Sequence, residues 1–500
     1  MSIVIKADKI IKKQPNFWNG ILFHPTDAIE DAWGQKILCD VAENKAAHIV
    51  RIYSMFEDIV TRGDDGSFLY DFSLNDERID FLLSHGFRPL IAYAFVPPFL
   101  TVDENMKSAV AQNKTRYKGK MICTSEPADY KAWGDICYNY TKHLCERYGE
   151  DEVSRWYLQC YNEPDIREFL LSDLPDDEKN NKVRLEIYKK LYREFENAVR
   201  RVSERFLIGG PASGKCGYIY ENFLRFVKEE KLKLDYVAIH DYGTNPADIQ
   251  NGKTPITVRN SIDHFNRYAA TAYQYFAGID IIMDEWGVCC AGFYNMRNFP
   301  VLEFREDEVF SAYFAKMLTG FVEENAHIRE MMICLSGQHE MSEEFTGYRG
   351  FFTLNHIRKP IYNSYILAAK LGENILEASC DTDCLSALPT QRDDGSTAVL
   401  LSYASEYFDK SLSPLDEKIK ISGIYGNKKI KIWRIDKNTV NPYTTYKEKN
   451  FPDILEPEQI DLLKNEGIMK PIHICTINAD GELFLDVSMS ANGVMLIEIE

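Results

Sequence analysis

No stretch of the 500-residue chain reaches the roughly 18 consecutive apolar residues that a membrane-spanning helix needs, and mean hydropathy is −0.32. No membrane association is therefore expected. The opening run MSIVIKADKIIKKQ interrupts its short apolar stretch with charges, so it lacks the long apolar segment of a secretory signal, and a cytoplasmic protein is expected. Metal-site spacing is missing as well: none of the 12 cysteines forms a CxxC pair or a Cys/His cluster of zinc type. No metal and no other cofactor are expected. Cys137, Cys145, Cys160 and Cys334 fall instead on apolar positions of helices or strands, where a thiol packs as a small hydrophobe. Cys289 and Cys290 read as packed thiols in the same way. Basic charge is short: 58 Lys and Arg stand against 76 Asp and Glu, a net −18, which argues against a nucleic-acid surface built on clustered cations. No low-complexity linker is present, and no repeat is seen beyond an alternation of strand-like and helix-like segments.

That alternation is the main content of the sequence. With 45% hydrophobic and 13% aromatic residues there is material for one large domain and a companion. Short apolar runs at 17–24, 48–55, 88–95, 155–162, 205–212, 234–242, 280–287 and 329–337 read as strands buried on both faces. Between them lie amphipathic stripes, the clearest at 183–202, with others at 129–148, 218–230, 261–276 and 308–325. Eight such units predict an α/β fold, a (β/α)8 TIM barrel. The alternative is an open doubly wound sheet, but no Gly-rich phosphate fingerprint follows the first strand. After a helix expected over 360–376, period-two runs at 396–405, 418–425, 428–436 and 493–500 predict an appended all-β sandwich domain. The expected division is an N-terminal strand at 1–14 joining the sandwich, a barrel at 15–376 and the sandwich at 377–500.

In such barrels the active site lies at the C-terminal ends of the strands. The run RWYLQCYNEPDI stops abruptly on Asn162-Glu163-Pro164, which places Glu163 at the tip of strand four, and Glu285 ends strand seven. Strands four and seven face each other across a barrel mouth. A carboxylate pair there suits glycoside hydrolysis, one side chain protonating the leaving oxygen while the other attacks the anomeric carbon. His240 and Tyr242, at the tip of strand six, are placed to bind the sugar or orient Glu285. Arg51, in mid-strand, needs a carboxylate partner if buried, for which a glutamate in the barrel is a candidate, and it is counted among the candidate substrate-binding residues.

Several blocks in order carry a family resemblance: VRIYSMFEDI, YDFSLNDERIDFLLSHGFRPLIAYAFVP, YKAWGDICYNYTKHLCERYG, VSRWYLQCYNEPD, FLIGGPAS, DYVAIHDYG and YRGFFTLNHIRKPIYNSY. In these the chain resembles glycoside hydrolase family 39, the β-xylosidase and α-L-iduronidase family. The resemblance implies Glu163 as acid/base, Glu285 as nucleophile, Asn162 against the hydroxyl next to the anomeric carbon, Tyr242 bonded to the nucleophile and His240 in the pocket. It also departs from the family. Tyr53-Ser54 replaces a His-Gly pair, Ala92 replaces a glutamate, and Asp284-Glu285-Trp286-Gly287 replaces Thr-Glu-Phe-Asn. The aromatic residue expected on strand eight is replaced within CLSGQHE. Tyr53 and Trp286 therefore join the candidate substrate-binding residues. The expected activity is a retaining exo-glycosidase acting on a non-reducing terminal sugar of short oligosaccharides, β-xyloside by default. Another sugar, whether β-glucoside, β-galactoside, arabinopyranoside or uronide, and a non-catalytic carbohydrate-binding barrel are the alternatives. The sandwich is expected to be structural, and to serve as a contact in a homo-oligomer.

Overall fold

Eight parallel strands close on themselves in this computed structural model, which describes residues 3–23, 29–30, 32–108, 121–253, 255–292, 294–335 and 341–500. In chain order the strands are Gly20–Phe23, Ile49–Met55, Arg88–Ala94, Tyr157–Cys160, Leu207–Ser213, Tyr236–Thr244, Asp280–Cys289 and Ile328–Leu335, and each pairs with the next until the eighth meets the first. Each coincides with one of the runs expected from the sequence. The end of the first run and the end of the eighth, including SGQHE, lie outside the described residues. Both faces of these strands are covered, which is why the runs are apolar throughout rather than alternating: all seven residues of Ile49–Met55 are buried. Ile49, Leu90, Tyr157, Tyr236, Ile282 and Met332 fill the floor of the barrel, so its mouth is the open end.

Helices such as Tyr130–Tyr148, Glu178–Val202 and Val258–Tyr275 form the outer ring. Several begin where the sequence supplies an oxygen for free backbone donors: Asp129 accepts from Lys131 and Ala132, and Asp177 from Asn180. Among the described residues no helix is long and apolar enough to cross a membrane.

A second, seven-stranded sheet packs beside the barrel. Its members are Ile3–Lys13, Asn374–Cys380, Leu385–Gln391, Thr397–Tyr403, Leu415–Ile435, His473–Met489 and Gly493–Ile499. Ile3–Lys13 runs antiparallel to Asn374–Cys380 and also parallel to Ile419–Ser422, so the sheet folds back on itself. The runs 418–425 and 428–436, read as two strands, are one strand of 21 residues. Gly423, at φ +79°, makes the bend, and a Cβ there would lie 2.7 Å from that of Asp8. The helix expected over 360–376 stops at Ala368, and Asn374–Cys380 is already sheet. Gly372 enforces the turn, since a Cβ on it would lie 2.2 Å from the Gln391 carbonyl oxygen. Two helices not foreseen, Pro442–Glu448 and Pro457–Glu466, interrupt the hairpin between the two longest strands and return to the barrel mouth.

Candidate active site

The fourth barrel strand ends at Cys160, and the chain then takes two left-handed turns, Tyr161 at φ +63° and Glu163 at φ +42°. Non-glycine residues rarely adopt this region, and each costs of order 1–3 kcal/mol unless its surroundings enforce it. Here they do. The Tyr161 amide donates to the Tyr93 carbonyl and the Glu163 amide to that of Ala212, each at 3.1 Å, which ties the tip to both neighbouring strands. Asp165 accepts from the amides of Gly214 and Lys215 at 3.1 and 2.8 Å. The tip is thus pinned so that Glu163 points across the mouth.

Opposite it, strand seven carries a β-bulge. Ile239 pairs with Met283, but His240 pairs with Glu285, so Asp284 is an extra residue in the ladder. A bulge re-aims side chains, and this one lets Asp284 and Glu285 both meet groups in the barrel interior. Arg51, fully buried, bridges them: its Nε lies 2.9 Å from Asp284 Oδ2 and its Nη1 2.7 Å from Glu285 Oε1. Its Nη2 donates to Asn162 Oδ1 at 2.8 Å. The Tyr53 hydroxyl accepts from Arg51 Nη1 and lies 2.8 Å from Asn162 Oδ1 and 3.0 Å from Glu285 Oε1. Tyr242 donates to Glu285 Oε2 at 2.7 Å, and His240 Nδ1 lies 2.7 Å from Glu163 Oε1. With its oxygen engaged, Asn162 presents an Nδ2 that has no partner among the described residues.

Charge follows from this geometry. Burial pushes the Glu163 carboxyl up; the His240 ring offsets part of this and the Glu285 charge adds to it, leaving a net rise. Burial acts on Glu285 in the same direction, but His240, Arg51, the Tyr242 hydroxyl and Arg349 outweigh it and hold Glu285 well below the usual carboxylate range. Burial would lower His240, yet Glu285, Asp284 and Glu163 raise it to about 10. Asp165, behind the tip, is pushed to about 7 by burial and then by Glu163. One carboxyl biased toward holding a proton and a second held as an anion is the division of labour that acid-assisted displacement needs.

These groups open into a cavity of about 1030 Å³ lined by Glu163, His240, Tyr242, Glu285 and Arg349 among others. Glu163, His240 and Glu285 each offer an atom within 4.8 Å of the others, close enough to bracket a cation, but Arg51, Tyr53 and Tyr242 already engage the Glu285 oxygens. Glu163, Glu285, Asn162, His240, Tyr242, Arg51 and Tyr53 are therefore brought together. Trp286 is not. Following the inward Glu285, its indole points outward, stacks on Phe314 and donates to the Tyr365 hydroxyl at 3.2 Å, so it cannot contact a sugar directly. Sequence reasoning missed Asp165 and Arg349. Arg349 is 8% exposed, with its guanidinium carbon 4.9 Å from the centre of the Tyr242 ring, and its Nε and Nη1 have no hydrogen-bond partner among the described residues. An arginine inside YRGFF, within the family-like block, was the available signal.

The sequence model of glycosyl hydrolases family 39 matches residues 1–483. The chain belongs to this family. A β-xylosidase of Caldicellulosiruptor saccharolyticus is 23% identical to it over 515 residues, covering 100% of this chain and 98% of that one. An α-L-iduronidase of Homo sapiens is 22% identical over 249 residues, 45% of this chain and 34% of that protein. The crystal structure of a monomeric β-xylosidase from Caulobacter crescentus CB15 matches with a TM-score of 0.81 at 20% identity, covering 100% of this chain and 99% of the other, a likeness of fold. The family 39 protein described here is a glycosidase, and the carboxylate pair lies at the mouth of its barrel.

Proposed function

We propose that the protein is a retaining, exo-acting glycosidase in which Glu163 is the acid/base and Glu285 the nucleophile. The observation that carries this is the approach of the two carboxylates to within 4.8 Å. Separations of about 5–5.5 Å accompany a covalent glycosyl-enzyme, whereas inversion needs roughly 6.5–9.5 Å to admit a water. Glu163 gives its proton to the glycosidic oxygen as Glu285 attacks the anomeric carbon. Glu163, now ionised, then takes a proton from the water that releases the sugar. Asn162 Nδ2 donates to the neighbouring sugar hydroxyl, a contact that tightens as positive charge develops on the ring. Glu285 is only 7% exposed, and a site seated this deep favours a chain end over its middle.

The default sugar is a β-xyloside, supported by the full-length relative. A specific observation favours a second reading, a uronide: Arg349 lines the cavity beside Tyr242 and brings there a positive charge with which a carboxylate on the bound sugar would pair. The test is hydrolysis of aryl β-xyloside, α-L-arabinopyranoside, β-glucoside, β-galactoside and α-L-iduronide. Glu285→Gln should abolish turnover of whichever substrate is cleaved, by roughly 10⁴-fold or more. Glu163→Ala should slow substrates with poor leaving groups by about 10²–10⁴-fold while sparing activated aryl glycosides. Equal losses on both would remove Glu163 from the acid/base role.

A further inference from the structure

The bulge in strand seven brings a third carboxylate into the site. Asp284 is fully buried, with Oδ2 2.9 Å from Arg51 Nε and 3.5 Å from His240 Nε2. Two buried carboxyl groups, Asp284 and Glu285, therefore share Arg51 at contact distance, and a carboxylate buried without adequate positive charge is costly. Arg349 adds positive charge on the Glu285 side, but the group that lies between the two carboxylates is the His240 ring, whose Nε2 faces Asp284 and whose Nδ1 lies 2.7 Å from Glu163 and 3.6 Å from Glu285. We propose that Asp284 is a positioning residue that keeps the His240 ring protonated and so sets the pH at which Glu163 loses its proton. This rests on Glu163 as the acid/base.

The groups around the ring are Glu163 and Asp165 from the tip of strand four, Arg51 and Tyr53 from strand two, Asp284 and Glu285 from strand seven, Tyr242 on its own strand and Arg349 from beyond strand eight. Carboxylates lie closest, at both ring nitrogens, and an imidazolium is what they select. Its Nδ1–H then donates to Glu163 Oε1 and favours the ionised form of that carboxylate, so Glu163 gives up its proton at a lower pH than it would beside a neutral ring. The acid needed for bond cleavage and the base needed for release of the sugar are brought within reach of one working pH.

The sign of the expected effect separates this device from plain electrostatics. Removing the Asp284 charge acts on Glu163 directly by weakening repulsion, which would lower the pH at which it ionises. Acting through His240 it does the opposite: the ring holds its proton less tightly, Glu163 sits beside a weaker cationic partner, and its proton is held to higher pH. Asp284→Asn is isosteric and removes the charge beside Arg51 and His240 without changing the side chain's size. In it the alkaline limb of kcat/KM for a poor-leaving-group substrate should move up by about one pH unit. His240→Gln should move the limb the same way, and the double variant should shift no further than either alone. In the unmodified enzyme the His240 ring carbon and proton signals should titrate near 10 by NMR, a readout that needs no variant to fold. A limb that stays put or moves down in Asp284→Asn, or a ring titrating near the ordinary histidine value, overturns the proposal. If Glu163→Ala spares activated substrates while the limb stays put, only the role of Asp284 fails; if Glu163→Ala shows no leaving-group dependence, the acid/base reading itself fails.

Discussion

At the scale of the residue, Arg349 asks for a reason. A guanidinium that is 8% exposed, with two nitrogens unpartnered among the described residues, forgoes hydrogen bonds each worth about 1.5–3 kcal/mol when charge-assisted. Burial would lower it, but Cys334, Tyr242 and Glu285 raise it and keep it charged. If its partner is a sugar carboxylate, Arg349→Met should cut kcat/KM on a uronide by about 10–100-fold and change hydrolysis of a neutral pentoside far less. Equal losses on both, measured side by side, would reduce Arg349 to support for Tyr242 and Glu285. The polar residues that end strands four, six and seven were legible from sequence because a strand run announces its own tip. Arg349 was not, because it sits in a loop where no periodicity says which way a side chain points. Trp286 was misjudged for a related reason. Its place next to Glu285 suggested the pocket, while the side chains of neighbouring strand residues alternate between faces and carried it outward.

At the scale of the element, the departures from the family pattern become intelligible together. Tyr53 and Ala92 are register partners on strands two and three, so the bulky phenol stands beside the smallest side chain available there. Its hydroxyl reaches both Asn162 and Glu285. The bulge at Asp284 could not be seen in DIIMDEWG, since it exists only as a mismatch between two strands' ladders. The loop that carries Arg349 is fixed from two sides. Beneath it, Arg305 donates to the Gly347 carbonyl at 3.0 Å, Lys359 donates to that of Tyr348 at 3.0 Å, and the Gly347 amide donates to Glu306 at 2.6 Å. Above it, Tyr443, Leu455 and Leu463 of the hairpin insertion pack around Phe345 and Ile357. The eight barrel strands were readable because apolar runs of that length recur. The two insertion helices were overlooked although each starts on a proline and the second has a Glu456/Gln459 capping box, because each is short and lies inside a stretch read as all-β.

At the scale of the whole molecule, one face of the second sheet joins the barrel's apolar cluster, while the other encloses a core of its own. Helix Glu308–Glu323 was expected to show a single apolar stripe, yet it is buried nearly all round, as a helix held between two layers must be. On one side Phe310 and Phe314 pack against Trp286 of strand seven. On the other, the Ala312 carbonyl accepts from Ser402 at 3.2 Å, and the Lys316 ammonium donates to the carbonyl of Asp383 at 2.7 Å. Leu388, Leu400, Val494 and Leu496 of the sheet belong to the same continuous cluster as the barrel's outer layer. Asn441 donates to the buried Glu308 at 2.8 Å, and Asn363 to the Gly467 carbonyl at 2.9 Å. A small polar contact between domains lets each melt alone, whereas stripping the sheet from this helix would expose apolar surface on both partners at about 25 cal/mol per Å². The chain should therefore unfold in one transition. Calorimetry should give a single endotherm whose midpoint coincides with loss of glycosidase activity and with loss of the sheet's circular dichroism. Two resolved endotherms, with activity following only one of them, would mean that the shared helix does not couple the layers.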